Sequence, residues 1–334
     1  MKHHRWYQVL ELSQVGEVRR AASEMAFSIG FCAEDAGRVA IVATELASNL
    51  VKHTTEGGEI LMAAVEAGDC FGIEIISLDK GPGIENLQHM LLDGVSTAGT
   101  VGNGLGAIRR LSQVFDIYTR PEQGTVIVAR IFERRWQPAA VSLEVGAIMR
   151  PFPGENVCGD GWAVRFSVGG GEILVTDGLG HGSQAAAASL DAVRFFRETA
   201  TPSPAQFIRS IDAPMRYTRG AAMALASIDL VQRKVIYAGV GNIAGRILSP
   251  QGSAGCLSYN GTVGLNPGRF QENTYPWPEQ ALLVMHSDGL TSRWDHTAYP
   301  GLLTRLPTLV AAVLYRDFFR GNDDVTVVVV RQGC

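Results

Sequence analysis

The chain has 334 residues, 46% of them hydrophobic, with a formal net charge of −4 and a pI near 6.0. That length favours about two domains with ordinary cores, and an acidic balance with no Lys/Arg block argues against nucleic acid or an anionic membrane as the main partner. Five scattered cysteines (Cys32, Cys70, Cys158, Cys256 and Cys334) with no CxxC pair argue against both a disulfide framework and a zinc site.

The amino terminus, MKHHRWYQVLEL, lacks the apolar core and small-residue cleavage site of a secretory signal. No apolar run approaches the roughly 18 residues of a membrane span, so the chain reads as soluble and cytoplasmic. Residues 5–12 predict a strand, and Ser13 opens a helical stretch. A longer helix is expected over 33–53, with Val39, Val42, Leu46 and Leu50 on one face. Strands follow at 59–66 and 71–78, then a long Gly/Ser/Thr-rich loop from Gly81 to Gly106 with a short helix inside. Residues 105–112 look helical, and strands at 114–119 and 125–132 close the half. The charged, proline-containing stretch 134–141 reads as a linker between a domain over 1–133 and a second over 142–334. There, strands at 142–149, 162–168 and 172–177 precede helices at 183–199 and 204–217. Further strands are expected at 222–230, 234–240, 243–248, 281–286 and 325–331. The fold class is α/β in the broad sense (α+β), with layered sheets and helices.

Three boxes in the first half suit an ATP-Mg²⁺ site. Glu45 and Asn49 lie four apart and share a helix face. An amide oxygen is a hard neutral ligand for Mg²⁺, and the neighbouring carboxylate can orient or deprotonate a nucleophile. Asp79 ends a strand, where a fixed carboxylate can accept a hydrogen bond from the adenine amino group. Gly81 and Gly83 allow a tight turn against a planar base. Gly102, Gly104 and Gly106 precede a helix, so free N–H groups and the positive helix end can face phosphate. Thr125, after Gly124, can complete the adenine contacts. Each box alone is weak; their joint order carries the reading.

These boxes resemble the Bergerat-fold (GHKL) ATPases over nearly all of residues 5–132, and among them the small serine kinases that act on anti-sigma-factor antagonists. The stretch Ser96-Thr97-Ala98-Gly99-Thr100-Val101-Gly102-Asn103-Gly104-Leu105-Gly106 resembles the lid of the RsbT-type switch kinases. The resemblance implies an α/β sandwich in which Asn49 binds Mg²⁺, Glu45 is the catalytic base and Asp79 binds adenine. Thr97 and the lid glycines would contact the nucleotide.

The second half carries Gly159-Asp160, Asp177-Gly178-Leu179-Gly180-His181-Gly182, Ser287-Asp288-Gly289 and Asp323-Asp324. Asp160, Asp177, Asp288 and Asp323 each fall at or near a predicted strand end. Carboxylates there can converge on one pole of a β-sandwich and hold two Mn²⁺ or Mg²⁺ ions, which activate water and neutralise phosphate charge. Gly178 leaves a backbone carbonyl room to reach a metal, directly or through water. The set resembles the metal-dependent protein phosphatases of the PPM superfamily, in the SpoIIE-like branch and closest to its compact RsbX type. That implies an α-β-β-α sandwich in which Asp177 bridges both metals, with Asp160 on one and Asp288 and Asp323 on the other. Asp324 would support the site. Cys158, where a glycine is common, reads as an inert small residue or an oxidisable thiol. Arg150 reads as a phosphate-holding or surface arginine, and His181 as a proton-transfer or loop-packing residue.

Together the halves imply a bifunctional regulator of bacterial partner switching. An ATP-dependent serine/threonine kinase would be joined to a Mn²⁺/Mg²⁺-dependent phosphoprotein phosphatase. The resemblance implies that its clients are STAS-domain proteins, either anti-sigma-factor antagonists or stressosome scaffolds. The alternative is a first domain that holds ATP and sequesters a partner without turnover, beside a phosphatase that is the only enzyme. Glu45 discriminates, because nucleotide binding alone needs no base.

Overall fold

Apolar residues alternate along the strands of the first half, and that alternation builds its sheet. A computed structural model describes residues 3–90, 104–137 and 140–333. The chain divides into two units, Lys2–Pro138 and Ala139–Cys334. The first contains β1 (Arg5–Val9), α1 (Leu12–Ser28), α2 (Ala33–His53), β2 (Gly58–Ala67), β3 (Cys70–Leu78), α3 (Leu87–Met90), α4 (Gly104–Leu111), β4 (Val114–Thr119) and β5 (Thr125–Phe132). Its sheet runs β1-β2-β3-β5-β4, and every named pairing is antiparallel. Ile60 and Met62, Ile73 and Ile75, and Ile127, Ala129 and Ile131 share one core with Val39, Val42, Leu46 and Leu50 of α2. Glu45 and Asn49 flank that apolar stripe and stay half-buried.

Helix α1 starts at Leu12, one residue ahead of the expected Ser13. Glu11 and Gln14 close a reciprocal capping box, in which the Glu11 N–H donates to Gln14 Oε1 at 3.0 Å. The first linker residues are tied to this unit. Trp136 stacks on Phe132 with ring centroids 4.6 Å apart, and Arg134 pairs with Glu34.

By alternation Glu74 of β3 points to the face of the sheet away from α2. Its carboxylate is buried, 2.6 Å from Arg130 Nε and 3.4 Å from His4 Nε2. Burial alone would raise its pKa; Arg130 and His4 outweigh burial and hold it down at about 2. A depressed carboxylate stabilises the fold fully above the ordinary value of 4.5 and loses that contribution as pH falls toward 2. Arg130→Met, which removes the guanidinium and leaves the carboxylate buried, is expected to cost about 3 kcal/mol at pH 7. The deficit should shrink near pH 4, where Glu74 can take up a proton instead. Urea melts of wild type and variant at the two pH values check this; an unchanged deficit would mean lost packing, not lost charge pairing.

The second unit contains β6 (Leu143–Arg150), β7 (Asp160–Ser167), β8 (Gly170–Gly178), α5 (Ser183–Glu198), α6 (Pro204–Met215), β9 (Ala221–Asp229) and β10 (Lys234–Val240). Then come β11 (Ala244–Ser249), β12 (Gly252–Cys256), β13 (Asn273–Pro276), β14 (Leu282–His286), α7 (Pro307–Phe318) and β15 (Val325–Gln332). Two antiparallel sheets result, β13-β10-β9-β8-β7 and β12-β11-β14-β15-β6. They face one another through Ile173, Val175, Ala226 and Val235 on one side and Ala147, Leu283, Met285 and Val328 on the other. Leu174, Met223 and Leu225 point outward from the first sheet, where Ala188, Ala192 and Phe196 of α5 and Phe207 and Ile211 of α6 cover them. Helix α7 packs on β6 and β15, which completes four layers in the order α-β-β-α. Gly146 lets it approach, because a methyl group there would lie 1.9 Å from the Thr308 nitrogen. The α+β expectation holds for both units, while α7, β12 and β13 are additions to the expected elements.

Candidate functional site

In the first unit the expected ATP residues form two neighbouring groups. A methyl group on Gly104, at the start of α4, would sit 3.2 Å from Glu45 Oε2 and 3.6 Å from Asn49 Oδ1. The glycine therefore brings the end of the lid sequence directly onto the α2 pair. Leu105, Gly106 and Ile108 are buried, which fixes the helix that follows. At the other group, Asp79 Oδ1 accepts from the Gly81 N–H at 2.8 Å and the Thr125 N–H at 3.2 Å. The Thr125 hydroxyl lies 3.0 Å from that of Thr119. Gly83 and Gly124 both have positive φ, and a methyl on Gly124 would meet the Asp79 carbonyl at 2.0 Å. Glu45, Asn49 and His53 follow at four-residue steps, so one face of α2 leads from Gly104 toward Asp79, whose charge acts on His53. Hard oxygens at one end and a fixed carboxylate beside a glycine turn at the other fit ATP with Mg²⁺. Thr97 and Gly102, with the rest of the lid sequence before Gly104, lie outside the described residues.

In the second unit, strand register does the gathering. Asp160 of β7 and Asp177 of β8 are direct cross-strand partners. Asp288 follows β14, and Asp323 and Asp324 precede β15, two strands that are themselves paired. Asp177, Asp288 and Asp323 line a cleft of about 560 Å³ together with Phe152, His181, Asn242 and Thr262. Asp160 and Asp324 lie buried behind it. Each is held by one oxygen: Asp160 Oδ2 accepts from Ser287 Oγ at 2.6 Å, and Asp324 Oδ1 from the Phe152 N–H at 2.8 Å. The other oxygens, Asp160 Oδ1 and Asp324 Oδ2, are buried with no hydrogen-bond partner. Gly159 and Gly178 sit inside this packing; methyl groups on them would lie 2.7 Å from Asp324 Oδ2 and 2.2 Å from the Ala185 carbonyl.

The carboxylates feel one another. Burial, then the charges of Asp288 and Asp323, push Asp177 up to about 8. Burial, then Asp177, raises Asp160 well above the usual carboxylate range. Asp323 and Asp324 are raised too, first by burial. Orphaned, mutually repelling carboxylate oxygens are the donor set that hard divalent cations take, and on that ground the residues fit two Mn²⁺ or Mg²⁺ ions. The arrangement is nonetheless more open than a closed cage. Among the described residues no three His, Cys, Asp or Glu side chains converge closely enough to hold an ion. Asp288 is instead turned to Asn242, whose Nδ2 donates to it at 2.6 Å.

Three side chains left open by the sequence are resolved by their surroundings. Arg150 is buried, so the surface reading is corrected: its guanidinium donates to the Tyr315 hydroxyl and lies over the Phe319 ring at 5.2 Å. It does not line the cleft. Cys158 is buried too, and burial followed by the Asp160 and Asp324 charges pushes its thiol far up, so it is no ready thiolate. His181 lines the cleft, stacked on Phe152 at 4.4 Å with Nδ1 3.0 Å from Glu155 Oε1. The sequence reading missed Asn242, Ser287 as a ligand holder, and Phe152. Only Ser287, the first residue of Ser287-Asp288-Gly289, stood in a motif.

The comparisons with known proteins match separate parts of the chain. A family model described as a histidine kinase-like ATPase domain matches residues 9–131, and one described as Stage II sporulation protein E (SpoIIE) matches residues 168–332. The serine/threonine-protein kinase RsbT of Bacillus subtilis (strain 168) is 32% identical over 111 residues, 33% of this chain and 83% of that protein. The phosphoserine phosphatase RsbX of the same organism is 27% identical over 138 residues, 41% of this chain and 69% of that protein. A solved chain from "The bacterial stressosome: a modular system that has been adapted to control secondary messenger signaling" superposes with a TM-score of 0.53 and 32% identity, covering 57% of this chain and 99% of that one. RsbX in complex with magnesium superposes at 0.50 and 21% identity over 60% of this chain and 98% of its own, a likeness of fold. Among the described residues no helix is long and apolar enough to cross a membrane. The chain belongs with the RsbT-type kinases through its first domain, a histidine kinase-like ATPase domain, which is followed by a serine/threonine phosphatase domain of the SpoIIE type.

Proposed function

We propose that both domains are live and act in opposite directions on one client, a STAS-domain protein of the anti-sigma-factor-antagonist or stressosome type, in the cytoplasm. Residues 1–133 serve as the kinase and 142–334 as the phosphatase, joined through 134–141. The observation that carries this reading is that each half has its own gathered set: Glu45 and Asn49 against Gly104, and five aspartates around one cleft. A domain that only held ATP would have no use for Glu45 beside Asn49.

In the kinase reaction Asn49 would hold Mg²⁺ with the ATP phosphates, and Asp79 and Thr125 would hold adenine. Glu45 would accept the proton of the client hydroxyl as that oxygen attacks the γ-phosphorus, while the bond from the γ-phosphorus to the β–γ bridging oxygen breaks and ADP leaves. In the phosphatase, Asp160, Asp177, Asp288 and Asp323, with the Gly178 carbonyl, would hold two divalent ions. When bound, these supply charge neutralisation and an activated water to the phosphoryl group. The protein's own work is orientation. Ser287 fixes Asp160, Asn242 fixes Asp288 and the Phe152 N–H fixes Asp324. Phe152 and Glu155 set the His181 ring at the rim.

The test is to incubate the purified chain with ATP-Mg²⁺ and STAS proteins from the same genome and to follow intact mass, with and without Mn²⁺. One client should gain about 80 Da with ATP and lose it again with Mn²⁺. A client that gains no phosphate, while ATP still binds, would favour the sequestering alternative.

A further inference from the structure

The phosphatase cleft is acidic, yet one wall of its rim carries a cation. Arg219 is exposed, and no carboxylate of the described residues is paired with it. A methyl group on Gly180, which lines the cleft, would lie 3.2 Å from Arg219 Nη1, so the guanidinium rests at the cleft's edge. The same edge is apolar. Leu179 and Leu265 are 52% and 59% exposed, and Tyr217, on the loop with Arg219, is 98% exposed. These residues are fixed to one another. The Leu179 N–H donates to the Gly220 carbonyl at 3.0 Å, and a methyl on Gly220 would meet Leu265 Cγ at 3.1 Å. The Gly220 N–H donates to Thr218 Oγ1, and Thr218 Oγ1 to the Met215 carbonyl at the end of α6.

Resting on the phosphatase reading, we propose that Arg219, Leu179, Leu265 and Tyr217 form the surface that reads the residues flanking the phosphorylated side chain. The occupant is a phosphoprotein segment with an acidic residue and an apolar residue next to its phosphoserine or phosphothreonine. Two observations select it. The surface is continuous with the cleft through Leu179 and Gly180, so a chain with its phosphate in the cleft can run directly onto it. The charge pattern then fixes the preference. The phosphate takes the cleft itself, and Arg219, the cation at its edge, accepts an acidic side chain there. The exposed Leu179, Leu265 and Tyr217 gain by covering an apolar neighbour.

The test uses the full chain with Mn²⁺, p-nitrophenyl phosphate, and a panel of phosphoserine peptides varied at the two positions on either side of the phosphoserine. Wild type should show a KM on the order of tenfold lower when an Asp and a Leu flank the phosphoserine than when both are Ala. Arg219→Glu should reverse the preference from Asp to Lys at that position, and Tyr217→Ala should weaken the preference for Leu. Both should leave turnover of the aryl phosphate, which has no flanks, unchanged. Hydrolysis of all peptides alike by wild type overturns the proposal. So does an equal loss on peptide and aryl phosphate in Arg219→Glu, since that would place the arginine at the phosphate or in the fold. If no probe is hydrolysed, the aryl phosphate included, the phosphatase reading falls and this inference with it.

Discussion

Asp177→Asn is expected to lower Mn²⁺-dependent hydrolysis of p-nitrophenyl phosphate by on the order of a thousandfold. The position follows from how the charges meet. Asp288, Asp323 and Asp324 all act on Asp177, and Asp177 in turn is the largest charge acting on Asp160. It stands between the β7 carboxylate on one side and those beside β14 and β15 on the other. A ligand at such a point would serve both ions, so its loss would weaken the hold on both. Asparagine keeps the volume while removing the charge, which separates electrostatics from packing. Asp324→Asn should cost less, about ten- to a hundredfold, because one Asp324 oxygen already serves the Phe152 N–H. Urea melts of the same protein samples are the control for folding. A normal rate in Asp177→Asn, or wild-type activity that survives EDTA, would overturn the two-ion reading.

The parts of this chain legible in advance were those where one periodicity dominates. Helix α2 buries Val39, Val42, Leu46 and Leu50 and exposes the opposite side, so its pattern is unambiguous. Helix α7 was missed because Pro307–Tyr315 is buried all round; a continuous apolar run carries no stripe, and period cannot separate buried helix from buried strand. Strands β12 and β13, Gly-Ser-Ala-Gly-Cys and Asn-Thr-Tyr-Pro, escaped for the opposite reason. They are short, largely exposed edge strands with little β propensity, held by pairing to β11 and β10.

The site divides along similar lines. The aspartates and glycines sit in short motifs because each must occupy a turn or strand end. Their partners do not. Asn242 reaches Asp288 across 46 residues, and Phe152 reaches Asp324 across 172. Such contacts are set by which strands pair, and no local pattern records them. Arg150 shows the converse: its residue type fits phosphate chemistry, but its place at the end of β6 aims it at Tyr315 and Phe319.

For the kinase domain, Glu45→Gln should reduce phosphate transfer to the client by about a thousandfold, within the range general-base removal produces. ATP affinity should change by no more than about twofold, because the glutamine keeps the shape that packs on Gly104. Asn49→Ala should act differently. It removes the hard oxygen one turn further along α2, so both the Mg²⁺ dependence of ATP binding and the transfer should be lost. The two substitutions thereby separate holding the nucleotide from using it, which is the difference between the kinase and the sequestering alternative. In the intact chain, with ATP and both metals present, the steady phosphorylation of a shared client should fall in Asn49→Ala and Glu45→Gln. It should rise in Asp177→Asn. A linker over 134–141 would keep the product of one reaction near the other site, so the balance should persist at dilutions where separated domains lose it. A client that responds to substitutions in one domain alone would mean that the two activities serve different proteins. Transfer that persists in Glu45→Gln would mean that the client hydroxyl needs no base from α2.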